Sequence, residues 1–252
     1  MCFQSLSAYL SFGQTIDTNN VNVALGIPTD NDNGDDYLIF RPQYVVSYNQ
    51  YRNSTNWVSW ELNSNWYGET DRYKGNFIAD TSLPDLFYMV KHSDYTNSGF
   101  DRGHIVRSKD RSDTEENNKS TFLLTNIMPQ TPDLNRGVWL NFEYYVEKLC
   151  TKENKELFVI AGGIYKTHSK MNNTVEIPDS CFKIVVVLDK GQTLKDVSES
   201  TETIAVVMPN IEGVRGEKWE RYKTTIRQIE NSVGYDFLCR VPIDIQNKIE
   251  TR

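Results

Sequence analysis

Apolar positions along the chain fall into short blocks separated by polar, turn-forming stretches, and the spacing inside each block predicts its element. Residues 37–40 and 43–48 read as two short strands. In 57–62, Trp57, Ser59 and Glu61 alternate with Val58, Trp60 and Leu62, the period of a half-buried strand. Segments 156–165, 181–190 and 201–210 carry denser apolar runs and read as well-buried strands. Between these groups, 63–100 is rich in Asn, Asp, Ser and Gly and reads as loop. Two stretches carry a helical period instead. Over 132–150, Val138, Phe142, Tyr145, Val146 and Leu149 share one face, with Pro132 and Asp133 suited to the first turn. Over 217–233, Trp219, Tyr222, Ile226 and Ile229 share another, with Gly234 as a C-terminal stop. No repeat or Gly/Ser-rich linker divides the chain. The pattern predicts one α+β domain over 37–252, a central antiparallel sheet with helices packed on it. Residues 1–36 read as a leader or flexible arm: 2–14 are weakly apolar without a basic start, and 15–36 are rich in Asn, Asp and Thr.

Composition changes this picture little. At 252 residues, 38% hydrophobic and 24% charged, the chain is an ordinary globular sequence with enough length for a sizeable core. No apolar run approaches the roughly 18 residues of a spanning helix. The formal net charge of -7 is unfavourable for binding a polyanion, but it is unevenly spread. Residues 1–40 hold Asp17, Asp30, Asp32, Asp35 and Asp36 and no Lys or Arg, so -7 less -5 leaves -2 for the remainder. Within 101–111, Arg102, Arg107, Lys109 and Arg111 outnumber Asp101 and Asp110, and local field decides attraction more than net charge does. No two of Cys2, Cys150, Cys181 and Cys239 form a Cys-x-x-Cys pair, which argues against a zinc knuckle. Buried free thiols are the preferred reading, with a disulfide left open.

Candidate chemistry sits mid-chain. The segment 99–111 reads GFDRGHIVRSKDR and contains His104, one of three histidines. A neutral imidazole takes a proton from water near neutral pH, and arginines such as Arg102 and Arg107 hold a phosphate. His92 and His168 have no such setting. Downstream, Asn135 falls in the first turn of the predicted helix and Glu143 lies eight residues on. At about 100° per residue they are offset by roughly 80°, on one broad side of the helix. A single amide oxygen suits Mg²⁺, which keeps several waters, and Glu143 suits a second-shell role through one of them.

Together the blocks DRGH, TNIMPQ, Asn135 and Glu143 resemble the DNA/RNA non-specific endonuclease family, the ββα-metal group, and most of all its secreted cyanobacterial sugar-non-specific members. The resemblance runs from about Tyr37 to Ile249 and includes WVSWELNSNWYG, NFIADTSLP, GFDRGHIVRSKDR, TFLLTNIMPQTPDLNRGVWLNFE, CFKIVVVLD and GYDFL. It implies a ββα-metal fold and metal-dependent hydrolysis of DNA and RNA to 5′-phosphate products. It implies His104 as general base, Asn135 as the direct ligand of Mg²⁺ or Mn²⁺, and Glu143 as the carboxylate that holds the cation's water. Arg102 is implied near the phosphate and the active-site carboxylate, Arg72 is implied to stabilise the phosphate, and Asp101 and Asn126 brace the site. One position departs: related sequences carry an arginine four residues after the helix glutamate, where this chain has Glu147. That departure predicts slower cleavage, with Arg136 or Lys148 as substitute cations. It also leaves a nucleic-acid-binding pseudoenzyme of the same fold, or a phosphodiesterase for small substrates, as other readings. Expected partners are DNA and RNA, with a protein inhibitor left open and no membrane. The expected location is secreted or periplasmic, since a nuclease without sequence preference endangers its own genome.

Overall fold

The computed structural model describes residues 14–30, 32 and 34–252. Strands β1 (Tyr37–Phe40), β2 (Val45–Asn49) and β3 (Ser54–Leu62) form an antiparallel meander. The chain then leaves the sheet for a long excursion that carries β4 (Asp101–His104), α1 (Glu115–Ser120), β5 (Ile127–Gln130) and α2 (Trp139–Thr151). It returns as β6 (Lys155–Ile164), makes a small hairpin of β7 (Lys170–Met171) and β8 (Val175–Glu176), and adds β9 (Ser180–Asp189), β10 (Glu202–Pro209) and β11 (Lys223–Thr224). Helices α3 (Ile226–Val233) and α4 (Ile243–Ile249) close the fold. The sheet order is β1-β2-β3-β6-β9-β10-β11, antiparallel at every pairing. The architecture is the expected α+β class, and β4, β5 and α2 form its ββα unit. As expected, 63–100 contains only short 3₁₀ turns.

The sheet is covered on both sides. Along β9, Cys181, Val185 and Val187 join the cluster under α2, while Phe182, Ile184, Val186 and Leu188 join the cluster under α3 and α4. Strand β6 divides the same way, with Leu157, Val159 and Ala161 opposite Phe158 and Ile160. Two covered faces explain why these strands lack clean polar alternation.

Four expectations need correction. Strand β3 is buried throughout, not on one face. Its polar residues are satisfied by neighbours: Ser59 donates to the Asn22 carbonyl at 2.5 Å, and Glu61 accepts from the Trp66 indole at 2.8 Å. The partner of Ser59 comes from the stretch expected to be an exposed arm. Val23 and Leu25 lie in the core, and the Asn22 side chain ties Arg41, Pro42 and Glu61 together. The weakly apolar stretch 2–14 lies, up to residue 13, outside the described residues.

The helix over 132–150 is interrupted by a π turn at Leu134–Val138, with Gly137 at φ -119° and ψ -111°. A Cβ on Gly137 would lie 2.5 Å from the Arg215 Cα, so glycine is required by the close approach of that backbone. An α-helical offset between Asn135 and Glu143 therefore does not apply. The helix expected over 217–233 splits into a 3₁₀ turn (Trp219–Tyr222), β11 and α3. Trp219 packs on Phe142 and Tyr145 of α2, whereas Ile226 and Ile229 lie on the opposite side of the sheet, so one helical face could not serve both. Thr225 caps α3, and Gly234 ends it at φ +86°, as expected. Cys150 and Cys181 are buried free thiols.

Candidate active site

The site is built on the β4–β5 pair, in which Asp101 faces Gln130 and His104 faces Ile127. Side chains alternate along β4, so Asp101 and His104 serve different sides of the strand. Gly103 lets the two strands close: a Cβ there would collide with the Gln130 side chain, itself fully buried.

His104 is buried to 9% exposure between the rings of Phe77, 5.2 Å away, and Phe122, 4.8 Å away and edge-on. Its Nε2 is buried with no hydrogen-bond partner. Burial and, secondarily, the charge of Arg72 hold its pKa down to about 3, so the ring is neutral at any physiological pH. Arg72, from the 63–100 loop, lies over the Phe122 ring at 4.8 Å and donates to the Ser108 hydroxyl. Asn126 fixes the backbone just past His104. It accepts from Ile105 N–H through its carbonyl at 3.0 Å and from Val106 N–H through Oδ1 at 2.9 Å, and it donates to the Val106 and Thr121 carbonyls.

On the other side of β4, Asp101 organises the metal-ligand candidate. Asn135 Nδ2 donates to Asp101 Oδ2 at 2.9 Å, and Arg136 donates to both Asp101 oxygens at 2.7 and 2.5 Å. These donors, more than offsetting burial, hold the Asp101 carboxyl below its usual range. With its amino group committed to Asp101, the Asn135 amide presents its oxygen away from that contact. A half-buried, pre-oriented neutral oxygen fits a hard, largely hydrated cation. The π turn that carries Asn135 is the kind of helix irregularity that recurs at functional sites.

Glu143, 7% exposed, lies on α2 between two cations: Lys183 Nζ at 3.5 Å and Arg107 Nε at 3.8 Å. Burial raises its carboxyl, and Lys183 and then Arg107 pull it back. Lys183 was missed by sequence reasoning, as were the aromatic walls Phe77 and Phe122 and the anchor Ser108. The signal for Lys183 was present: it is the one charge inside the apolar run of β9, and it is 2% exposed, 4.3 Å from the Trp139 ring. A lysine in such a place requires a buried counter-charge.

Not every expected residue converges. Arg102 turns away from Glu143: it donates to the His92 carbonyl at 2.7 Å and lies beside the rings of Tyr95 and Phe77. Arg111, counted above as attractive charge, is fully buried, and its guanidinium donates to the carbonyls of Gln43, Asp110 and Glu61. Of the substitute cations for position 147, Arg136 is engaged by Asp101 and Lys148 by Glu153. Among the described residues, the group of three clustered carboxylates, Asp30, Asp35 and Asp36, is elsewhere. Asp36 accepts from Ser47, from Asn56 at 3.1 Å and from Tyr235 at 2.8 Å, on the α3 side of the sheet.

Comparison with known proteins gives the family and the fold. The model of the DNA/RNA non-specific endonuclease family matches residues 22–244. A nuclease of Nostoc sp. is 43% identical over 219 residues, 86% of this chain and 79% of that protein. Mitochondrial endonuclease G of Homo sapiens is 28% identical over 214 residues, 80% of this chain and 69% of that protein. The crystal structure of the EndoG/EndoGI complex contains a chain that superposes with a TM-score of 0.76 at 23% identity, covering 94% of this chain and 97% of that one. The last match establishes the shared fold.

Proposed function

The chain belongs to the DNA/RNA non-specific endonuclease family and is a nucleic-acid-hydrolysing enzyme, and from that premise we propose how its own residues divide the work. His104 is the general base, and the observation that carries the reading is its buried, neutral ring beside Arg72. The ring takes the proton of the attacking water. An anionic phosphate docking nearby offsets the charge of Arg72 and strengthens the base at the moment of use. Arg72, held by Ser108, stabilises charge on the phosphate. Asn135 would hold one Mg²⁺ or Mn²⁺ by its amide oxygen, and Glu143 would orient water on it. A cation held there would supply Lewis-acid charge to the phosphate. Asp101 positions Asn135, and Asn126 positions the turn after His104. Arg102 acts at the rim, where Tyr95 and the His92 carbonyl hold it. Contacts confined to phosphate carry no base information, which accounts for cleavage of DNA and RNA alike.

The test is digestion of circular DNA and of RNA with Mg²⁺, with Mn²⁺ and with EDTA, followed by end-group analysis. Cleavage that depends on the cation and leaves 5′-phosphates is expected. Binding without cleavage under every cation would establish the pseudoenzyme instead. Export to the secreted or periplasmic space and restraint by a protein inhibitor complete the proposal, and both are read out by fractionation and affinity capture.

A further inference from the structure

Glu147 neither lies idle at the surface nor faces the phosphate unpaired. Its Oε2 accepts a hydrogen bond from Arg107 Nη1, and both side chains are largely covered, at 26% and 16% exposure. Arg107 leaves β4 three residues after His104, and its Nε lies 3.8 Å from Glu143 Oε2. Its guanidinium carbon rests 4.9 Å above the Tyr144 ring. Glu147 and Tyr144 on rigid α2 therefore fix the guanidinium from two directions. Asp110 and Glu143 also act on its charge. Arg72 feels the same charge: burial and then Arg107 lower its pKa, so the two guanidinia share one small region beside Glu143.

We propose that Arg107, in the turn after β4, is a phosphate-contacting residue, and that Glu147 is its positioning residue. This rests on the nuclease reading above. A guanidinium offers five N–H donors in a fixed fork, so one can be given to Glu147 while a free edge meets phosphate oxygens. Holding the fork in place before substrate arrives lowers the entropy lost on binding.

The experiment uses the full chain. Arg107→Ala is expected to lower kcat/KM on DNA about 10²-fold, the size of a lost electrostatic contact. Glu147→Gln is expected to act mainly on KM, by several-fold. Glu147→Arg alone places two guanidinia in contact and is expected to give no gain. The exchange Arg107→Glu with Glu147→Arg restores the pair in reverse and is expected to recover most of the loss. Binding is read separately in a His104→Ala background with EDTA, by anisotropy of labelled single-stranded DNA. There Arg107→Ala should weaken affinity and reduce the salt slope by about one counterion. Unchanged affinity and slope, or an exchange variant no better than Arg107→Ala, would overturn the proposal and leave a structural ion pair. Full activity of His104→Ala would instead overturn the general-base assignment, whatever Arg107 does, and absence of cleavage by the wild type under every cation would sink the nuclease reading.

Discussion

The two sides of the central sheet bury layers of different chemistry. Under α2, aromatic and aliphatic groups such as Trp60, Trp139 and Phe142 surround Lys183, Glu143, Asp110 and Arg111, each buried charge within reach of an opposite one. Under α3 and α4, Phe182, Ile184, Val186, Leu188, Ile229 and Phe237 make an almost wholly apolar layer. The buried carboxyls at its margin, Asp36 and Glu250, are pushed up to about 7 by burial. The first side thus sets several buried charges against one another around the candidate site. On the other, Asp36 meets only neutral donors, while Glu250 pairs with Arg227 at 2.7 Å. The candidate site lies with the first layer, and the second is the more uniformly apolar.

The largest test of that division is His104→Ala. Turnover on DNA should fall about 10²–10⁴-fold, the usual general-base contribution, while Tm stays within a few degrees. The side chain leaves an aromatic niche, and the orphaned Nε2 is removed with it. Phe237→Ala is the mirror experiment. Phe237 is fully buried against Phe182 and Tyr235, so truncation should cost about 3–5 kcal/mol of unfolding free energy. At temperatures well below Tm, kcat should not move. A large fall in kcat for folded Phe237→Ala would break the comparison.

Lys183→Met tests whether pairing is what keeps the site side ionised. Removing the lysine leaves Glu143 facing Arg107 alone at 3.8 Å, and breaking a buried pair costs about 3–5 kcal/mol. Glu143 is already raised by burial and lowered by Lys183, so its carboxyl should rise further. A raised carboxyl is ionised only at higher pH. The acidic limb of the pH–rate profile should therefore move to higher pH in the variant, and its stability deficit should shrink in acid. An unmoved limb, measured on folded protein, would mean that Glu143 does not need Lys183 to ionise.

Legibility in the sequence followed the same division. The strands of both layers were readable because period-two and apolar-run patterns record burial directly, as in β6, β9 and β10. The proposed roles of His104, Asn135 and Glu143 come from blocks of residues in order, and Asn126 and Asp101 hydrogen-bond beside His104 and to Asn135. What was illegible depended on partners distant in sequence. Arg107 and Glu147 are 40 residues apart, and nothing local marks them as a pair. Arg102 carries the right charge in the right motif yet spends it on the His92 carbonyl. The apparent helix over 217–233 failed for the same reason: its apolar spacing was right, but Trp219 and Ile226 answer to opposite layers.

The smallest expected effect separates the layers by pH. Asp36 accepts through Oδ1 from Ser47, Asn56 and Tyr235, while Oδ2 is buried with no partner. Burial, helped by the neighbouring Asp30 and Asp35, raises the carboxyl from 3.8 to about 7 against the pull of those hydrogen bonds. A group whose pKa is higher folded than unfolded holds more protons in the native state. Its contribution to stability is therefore full below about pH 4 and is lost as pH rises through about 7. Asp36→Asn keeps the accepting oxygen and stays neutral at every pH. The variant should match the wild type near pH 4 and exceed it above pH 7, by roughly 2–4 °C in Tm for each kcal/mol recovered. Because Asp36 lies on the α3 side, kcat on DNA should be the same for both proteins at pH 8 and 25 °C. A variant that is less stable than wild type at pH 8 would show that the ionised carboxylate has a partner there, and that this layer, too, keeps a charge by pairing it.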